Sequence, residues 1–393
     1  MQSPKVLAGA TMLSTVSSGT RQSPAMTPAL SVYLDLLRFV GALLVLFSHI
    51  ETDIFGLWFW QLRSYGPQGV VIFFVMSGYV IAYTADAKNK TLRDYTIARG
   101  ARLYSVVVPA IIFTVITELL IRHFDASYFL QHAGQDRMSV WTHAFLNLTY
   151  TSQLWFIGER WWTNLPFWSL GYEAWYYVIF AAATYFPGRL RFILVLLTCA
   201  IAGPRILVLF PLWLLGVAAY EAGKRWTIPV IAACALFAIS ALGSVYLLLA
   251  DTDASFTLLV GKVFGDKLVK TLLPPNFDFF YLLGIAITAN ILAFALMRIE
   301  FKTLLRAVGG PVRYAAGATF AIYLFHTPVL ALIHWAFQGS PPSLGRSLLL
   351  YAGLFVILFA IAEVTERRKK VWTRLFNGVF AKFGQPPRFA TPG

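Results

Sequence analysis

The sequence predicts an all-α, polytopic membrane protein of about ten transmembrane helices with both termini in the cytosol. Three observations predict it. Of 393 residues, 58% are hydrophobic and 13% charged, with a mean hydropathy of +0.66. No soluble domain of this size needs so much apolar surface. Apolar runs recur from residue 34 to residue 362, with Gly, Pro and aromatics scattered through them. That pattern suits helices that satisfy their own backbone polar groups in lipid. Finally, Lys and Arg fall unevenly on the two sides of the segments between these runs.

Residues 1–30 are rich in Ser, Thr, Ala and Pro. The apolar patch from Val6 to Met12 is too brief for a secretory signal, so this stretch reads as a disordered cytosolic tail. Residues 31–370 form the membrane domain, with ten candidate spans. The first, 33–50, carries Asp35, Arg38 and His49. The second, 69–84, has the small pair Ser77-Gly78 near its middle. The third, 103–121, follows Arg99 and Arg102, and the fourth, 167–186, opens on Trp168, Ser169 and Glu173. The fifth and sixth, 192–203 and 206–220, are short for a bilayer of ~30 Å, which wants about 20 residues per helix, and suit a broken or tilted hairpin. The remaining spans are 227–249, 279–297, 318–337 with His326 and Pro328, and 347–362. Residues 371–393 form a basic cytosolic tail, whose last ten residues, 384–393, resemble the N-terminal tail in composition.

With the N-terminus inside, 22 of the 32 Lys and Arg residues fall on the cytosolic side and 9 outside, Arg38 lying within the first span. This positive-inside bias fits an even number of spans. The net charge of +14 is then explained by anchoring to anionic lipids at the inner face, and it suggests no nucleic-acid partner. Cys199 and Cys234 lie in apolar segments and suggest neither a disulfide framework nor a metal site.

Arg38 and His49 are eleven residues apart, about three helical turns plus 20°, so they share a face roughly 16 Å apart along the axis. Ionisable groups are costly in a bilayer and are kept there mainly for use. With the first helix running outward, His49 is near the outer surface and Arg38 near the inner one. Glu173, six residues into an inward-running helix, lies about 9 Å below the outer boundary, a depth similar to that of His49. Ser77-Gly78 and His326 are near mid-bilayer. Small residues there allow helices or a ligand to approach closely.

Five blocks now carry a resemblance: Leu34-Asp35-Leu36-Leu37-Arg38-Phe39 leading to His49; Phe73-Phe74-Val75-Met76-Ser77-Gly78; Arg99-Gly100-Ala101-Arg102; Trp168-Ser169-Leu170-Gly171-Tyr172-Glu173; and Gly317 through His326. In this order, from about residue 31 to about 370, the chain resembles the acyltransferase-3 family of integral membrane acyltransferases. The resemblance implies transfer of an acyl group, commonly acetyl, from cytosolic acetyl-CoA as co-substrate. The implied acceptors are sugars of exopolysaccharide, lipopolysaccharide, peptidoglycan, Nod factors or glycosylated small molecules. It implies a multi-pass protein of the inner membrane, and an Arg-x-x-Arg motif, Arg99 and Arg102, for the phosphates of CoA. Two departures stand out. Ser105 follows Arg102-Leu103-Tyr104 where the family often has proline, and the family's Glu-Glu pair is reduced to Glu173-Ala174.

The residue types suit that chemistry. A sugar hydroxyl is a poor nucleophile, and a neutral imidazole can take its proton as it attacks a thioester. His49 is the candidate general base; an acyl-histidine route would use it as nucleophile instead. A carboxylate would fix its tautomer, Glu173 by preference and Asp53 as the other candidate. Two guanidinium forks spaced i,i+3 suit phosphate oxygens. Arg38 is expected to contact the pantetheine arm or to pair with Asp35. Trp168, Ser169, Asp53 and Ser77 are the candidate substrate contacts, and no metal is expected.

Simpler readings compete. Arg99 and Arg102 also fit inner-face anchoring, and His326 a structural role, capping the carbonyl freed by Pro328. His123, His132 and His143 fit a solvated outer loop, and Trp155, Trp161, Trp162 and Trp168 an interfacial belt. A transporter or flippase for a lipid-linked or small polar substrate is the alternative function; no internal repeat supports it.

Overall fold

The computed structural model describes residues 26–134, 138–249, 262, 265, 271–272 and 277–382. The expected tails at 1–25 and 384–393 lie outside the described residues. Helix α1, Pro28–Ser48, starts inside the stretch expected to be tail. Its onset is set locally: the Thr27 side chain accepts the Leu30 N–H at 3.1 Å, and Pro28 supplies a ring with no N–H to leave unpaired. His49 is the C-cap residue, one position past the helix.

A short helix α2, Thr52–Phe55, leads to α3, Gly66–Ala87. Helix α4, Leu92–Phe124, is 33 residues long and capped by Thr91. It runs through Pro109, so Arg99, Arg102 and the expected third span belong to one helix. The loop expected on the outer side holds α5, Ala126–Ala133, and α6, Val140–Leu148. Next come α7, Phe167–Tyr185, then α8, Gly188–Ala202, and α9, Pro204–Arg225. The last two are separate helices broken at Gly203, whose φ of +79° is in the region glycine favours. They are followed by α10, Val230–Leu249, α11, Phe277–Met297, α12, Lys302–Ala316, α13, Thr319–Phe337, α14, Leu344–Val364, and α15, Lys369–Lys382.

Each of the ten expected spans falls on a helix. Among the described residues, eight helices are both long and apolar enough to cross a membrane. The other two expected spans differ from these. Helix α8 has only 15 residues, and α7, with 19, replaces aliphatic side chains with Trp, Tyr, Ser169 and Glu173.

Helix α1 packs against α3, α12 and α13, while α3 also meets α9 and α11. The α3–α9 contact depends on reciprocal glycines. A Cβ on Gly78 would overlap the Trp213 carbonyl, and one on Gly216 would overlap the Val75 carbonyl. This fulfils the close approach expected of Ser77-Gly78, with a helix as the neighbour. Helix α15 packs along α4, its Phe376 ring against Gly100 and beside Tyr104. The segment expected as a basic tail from 371 therefore begins as a helix docked beside the arginines.

Candidate active site

Helices α1, α3, α4, α7 and α13 enclose a cavity. Its lining includes Arg38, Phe73, Ser77, Arg102, Ser169, Glu173, Tyr177 and Tyr323. A second cavity, lined by Asp35, Arg38, Lys88 and Arg313, shares Arg38 with the first. Arg38 pairs with Asp35 at 3.2 Å, one of the two contacts expected of it. That bond uses one guanidinium nitrogen only. Nε of Arg38, and Nε and Nη1 of Arg99, are buried without a hydrogen-bond partner. A buried charged donor left unpaired costs more than the ~1–3 kcal/mol of a neutral one, so these nitrogens are set up for an incoming anion.

The expected pairing of Glu173 with His49 does not form. Glu173 accepts hydrogen bonds from the hydroxyls of Ser77, at 2.5 Å, and Tyr177, while the Trp213 indole donates to Ser77 at 3.3 Å. Arg99 and Arg102 both act on Tyr177 and Glu173 electrostatically. The acidic side chain is thus engaged by Ser77, Tyr177 and the arginines, and not by the histidine. Glu366, which acts electrostatically on Arg38 and Arg102, accepts the N–H groups of Phe320 and Ala321 at 3.0 and 3.1 Å at the start of α13.

The partner of His49 is His326. Nδ1 of His49 lies 2.8 Å from the Val45 carbonyl and 3.3 Å from Nε2 of His326; Nδ1 of His326 lies 2.9 Å from the Ile322 carbonyl. A carbonyl only accepts, so both Nδ1 atoms carry the proton in the neutral rings, as assigned from these partners. His49 then donates to His326 as well as to Val45, and its Nε2 holds a lone pair with no protein partner among the described residues. His326 is fully buried and His49 partly exposed.

His326 is free for this contact because it does not cap the carbonyl released by Pro328. That carbonyl, of Leu324, accepts from the Asn164 side chain at 2.8 Å, and Asn164 also donates to Thr114. Tyr323 lines the cavity and also meets the histidine pair: its hydroxyl is 2.5 Å from that of Ser169, its ring lies edge-on to Phe73, and it neighbours His326.

The other expected contacts scatter. Ser77 and Ser169 line the cavity, whereas Trp168 is half-buried against Tyr172. Asp53 points to His334, 3.9 Å from its Nε2, and Glu51 pairs with the same ring. Burial holds the Glu51 carboxyl above the ordinary carboxylate range, against the opposing pull of His334. Two loop expectations are corrected. His143 is buried and paired with Glu159, whose other oxygen accepts from Asn147 at 3.2 Å. Trp161 is buried too, donating to Glu118 at 2.6 Å, so it is no belt residue.

The family model described as an acyltransferase domain, acyltransferase-3, matches residues 31–380. The chain belongs to the acyltransferase-3 family. It is a membrane acyltransferase, and the match continues past residue 370 to take in most of α15. No curated protein and no solved structure matches the chain. Sequence reasoning on this acyltransferase missed His326 as the partner of His49, though the block ending in His326 placed an ionisable ring at mid-depth. It missed Tyr177 and Tyr323 because a tyrosine in an apolar run gives no signal until its hydroxyl finds a partner.

Proposed function

We propose that this acyltransferase moves an acyl group, acetyl above all, from cytosolic acyl-CoA to a hydroxyl of an exported or cell-surface carbohydrate or glycolipid, in the inner membrane. The observation that carries the reading is the His49–His326 pair, with one imidazole nitrogen left open. Arg99 and Arg102, with Arg38 deeper, bind the phosphates and lead the pantetheine arm into the cavity. Tyr323, Ser169 and Phe73 lie on its way to His49. The acceptor hydroxyl gives its proton to Nε2 of His49 as its oxygen bonds to the thioester carbon. His326, accepting from Nδ1–H, stabilises the imidazolium that forms. The carbon–sulfur bond then breaks and the CoA sulfur takes the proton back from His49. Glu173 holds Ser77 and Tyr177 in place along the cavity wall and balances the arginines.

The test is the acetyl content of surface carbohydrate in cells carrying wild-type protein or the Arg99→Ala/Arg102→Ala variant at matched abundance. Acetylation should fall in the variant. Acetylation at the wild-type level, together with unchanged CoA-ester binding, would remove the donor site.

A further inference from the structure

Outside the cavity, the described residues include one group able to hold a metal ion. Glu51, Asp53 and His334 each offer a ligand atom, and these atoms lie within 4.8 Å of one another. A second imidazole stands near them. The His132 ring is 5.4 Å from that of His334, centroid to centroid, and acts electrostatically on Glu51. Nδ1 of His132 lies 2.8 Å from the Tyr128 carbonyl, which only accepts. The proton is therefore on Nδ1 and the lone pair on Nε2, the arrangement in which a backbone carbonyl orients a metal-binding imidazole. Tyr128 braces both rings, stacking on His132 and meeting His334 edge-on.

We propose that Glu51, Asp53, His334 and His132 form a zinc site at the outer mouth of the protein. Two imidazoles and two carboxylates are a borderline-soft donor set that suits Zn²⁺ better than Mg²⁺ or Ca²⁺, which prefer all-oxygen shells. Ligand bonds of about 2.0–2.2 Å require donor atoms closer than 4.8 Å. The needed movement falls to Asp53, whose side chain is 65% exposed.

The position of the site gives it a consequence. Glu51 is two residues beyond His49, and His334 is eight residues, about two turns, beyond His326 on α13. The same two chain segments that carry the histidine pair carry the metal ligands. A bound zinc would tie the end of α1 to α13 and fix the separation of His49 and His326, while α5 supplies His132 from the outer loop.

The experiment uses full-length protein purified in detergent without a polyhistidine tag, stripped with chelator and then titrated with Zn²⁺. Bound zinc is counted by elemental analysis and thermal unfolding is followed in parallel. Wild type should take up one zinc per chain and melt several degrees higher with it. Glu51→Gln and His334→Gln should each lower the affinity by tenfold or more and lose the thermal shift. His123→Gln, at an exposed histidine near the end of α4, should behave as wild type. Because the shift is first read on the wild-type chain, a poorly folding variant does not decide the outcome. Absence of stoichiometric zinc in the wild type overturns the proposal, as does uptake that survives both substitutions. Neither result depends on acyl transfer.

Discussion

Two halves of the polar path, an arginine half expected at the inner face and a histidine half expected at the outer, solve different problems. The inner half is over-supplied with cationic donors: Arg38 and Arg99 keep buried nitrogens unpaired even though Asp35, Glu173 and Glu366 are near. The outer half has no such excess; its two imidazoles satisfy each other and two backbone carbonyls. An unpaired guanidinium waits for an anion, whereas a histidine with a fixed tautomer and one open nitrogen waits for a proton. Tyr323, hydrogen-bonded to Ser169, lies between the two halves. Donor binding and acyl transfer should therefore be separable by substitution.

The largest effect is expected at His49. Removing the general base in His49→Ala should lower acyl transfer by about 10²–10⁴-fold in an assay of labelled acetyl incorporation. Transfer at the wild-type rate would show that the outer half does something else. Next come the arginines. A charge-assisted hydrogen bond contributes about 1.5–3 kcal/mol, so Arg99→Ala should raise the KM for acetyl-CoA by roughly 10–100-fold. Rate at saturating donor should be nearly retained; a fall in kcat with KM unchanged would blur the division between the halves.

A smaller effect is expected for His326→Gln. It loses one hydrogen bond to His49 and should lower kcat by roughly tenfold at unchanged KM for the donor. Gly216→Ala sharpens the comparison from outside both halves. It forces a methyl into the Val75 carbonyl, and overpacking of this kind costs about 1–3 kcal/mol, read as a lower melting temperature. Donor affinity and transfer should then fall together, unlike in the other variants.

The helices were legible in the sequence because lipid imposes a simple rule on length and hydrophobicity, and each expected span falls on a helix. Boundaries were less so. Thr27 and Pro28 start α1 within a stretch whose composition suggested a tail, and α15 emerges from a stretch expected to be one. In the site, position along each helix was readable and partnership was not. His49, Glu173 and His326 could be placed along their helices by counting residues, but the faces they share depend on how α1, α7 and α13 rotate against each other. Equal calculated depth suggested Glu173 for His49. The structure instead turns Glu173 to Ser77 and Tyr177, within electrostatic reach of Arg99 and Arg102, and leaves His326 to face His49. The meeting of His132 and His334 was hidden for a similar reason, since the two rings come from different helices, α5 and α13.

The most direct test of two separate halves is the dissociation constant of acetyl-CoA for purified His49→Ala protein, measured in the same preparation as its transfer rate. The account predicts wild-type affinity with transfer reduced at least a hundredfold. A tenfold weaker affinity, or transfer at the wild-type rate, would contradict it.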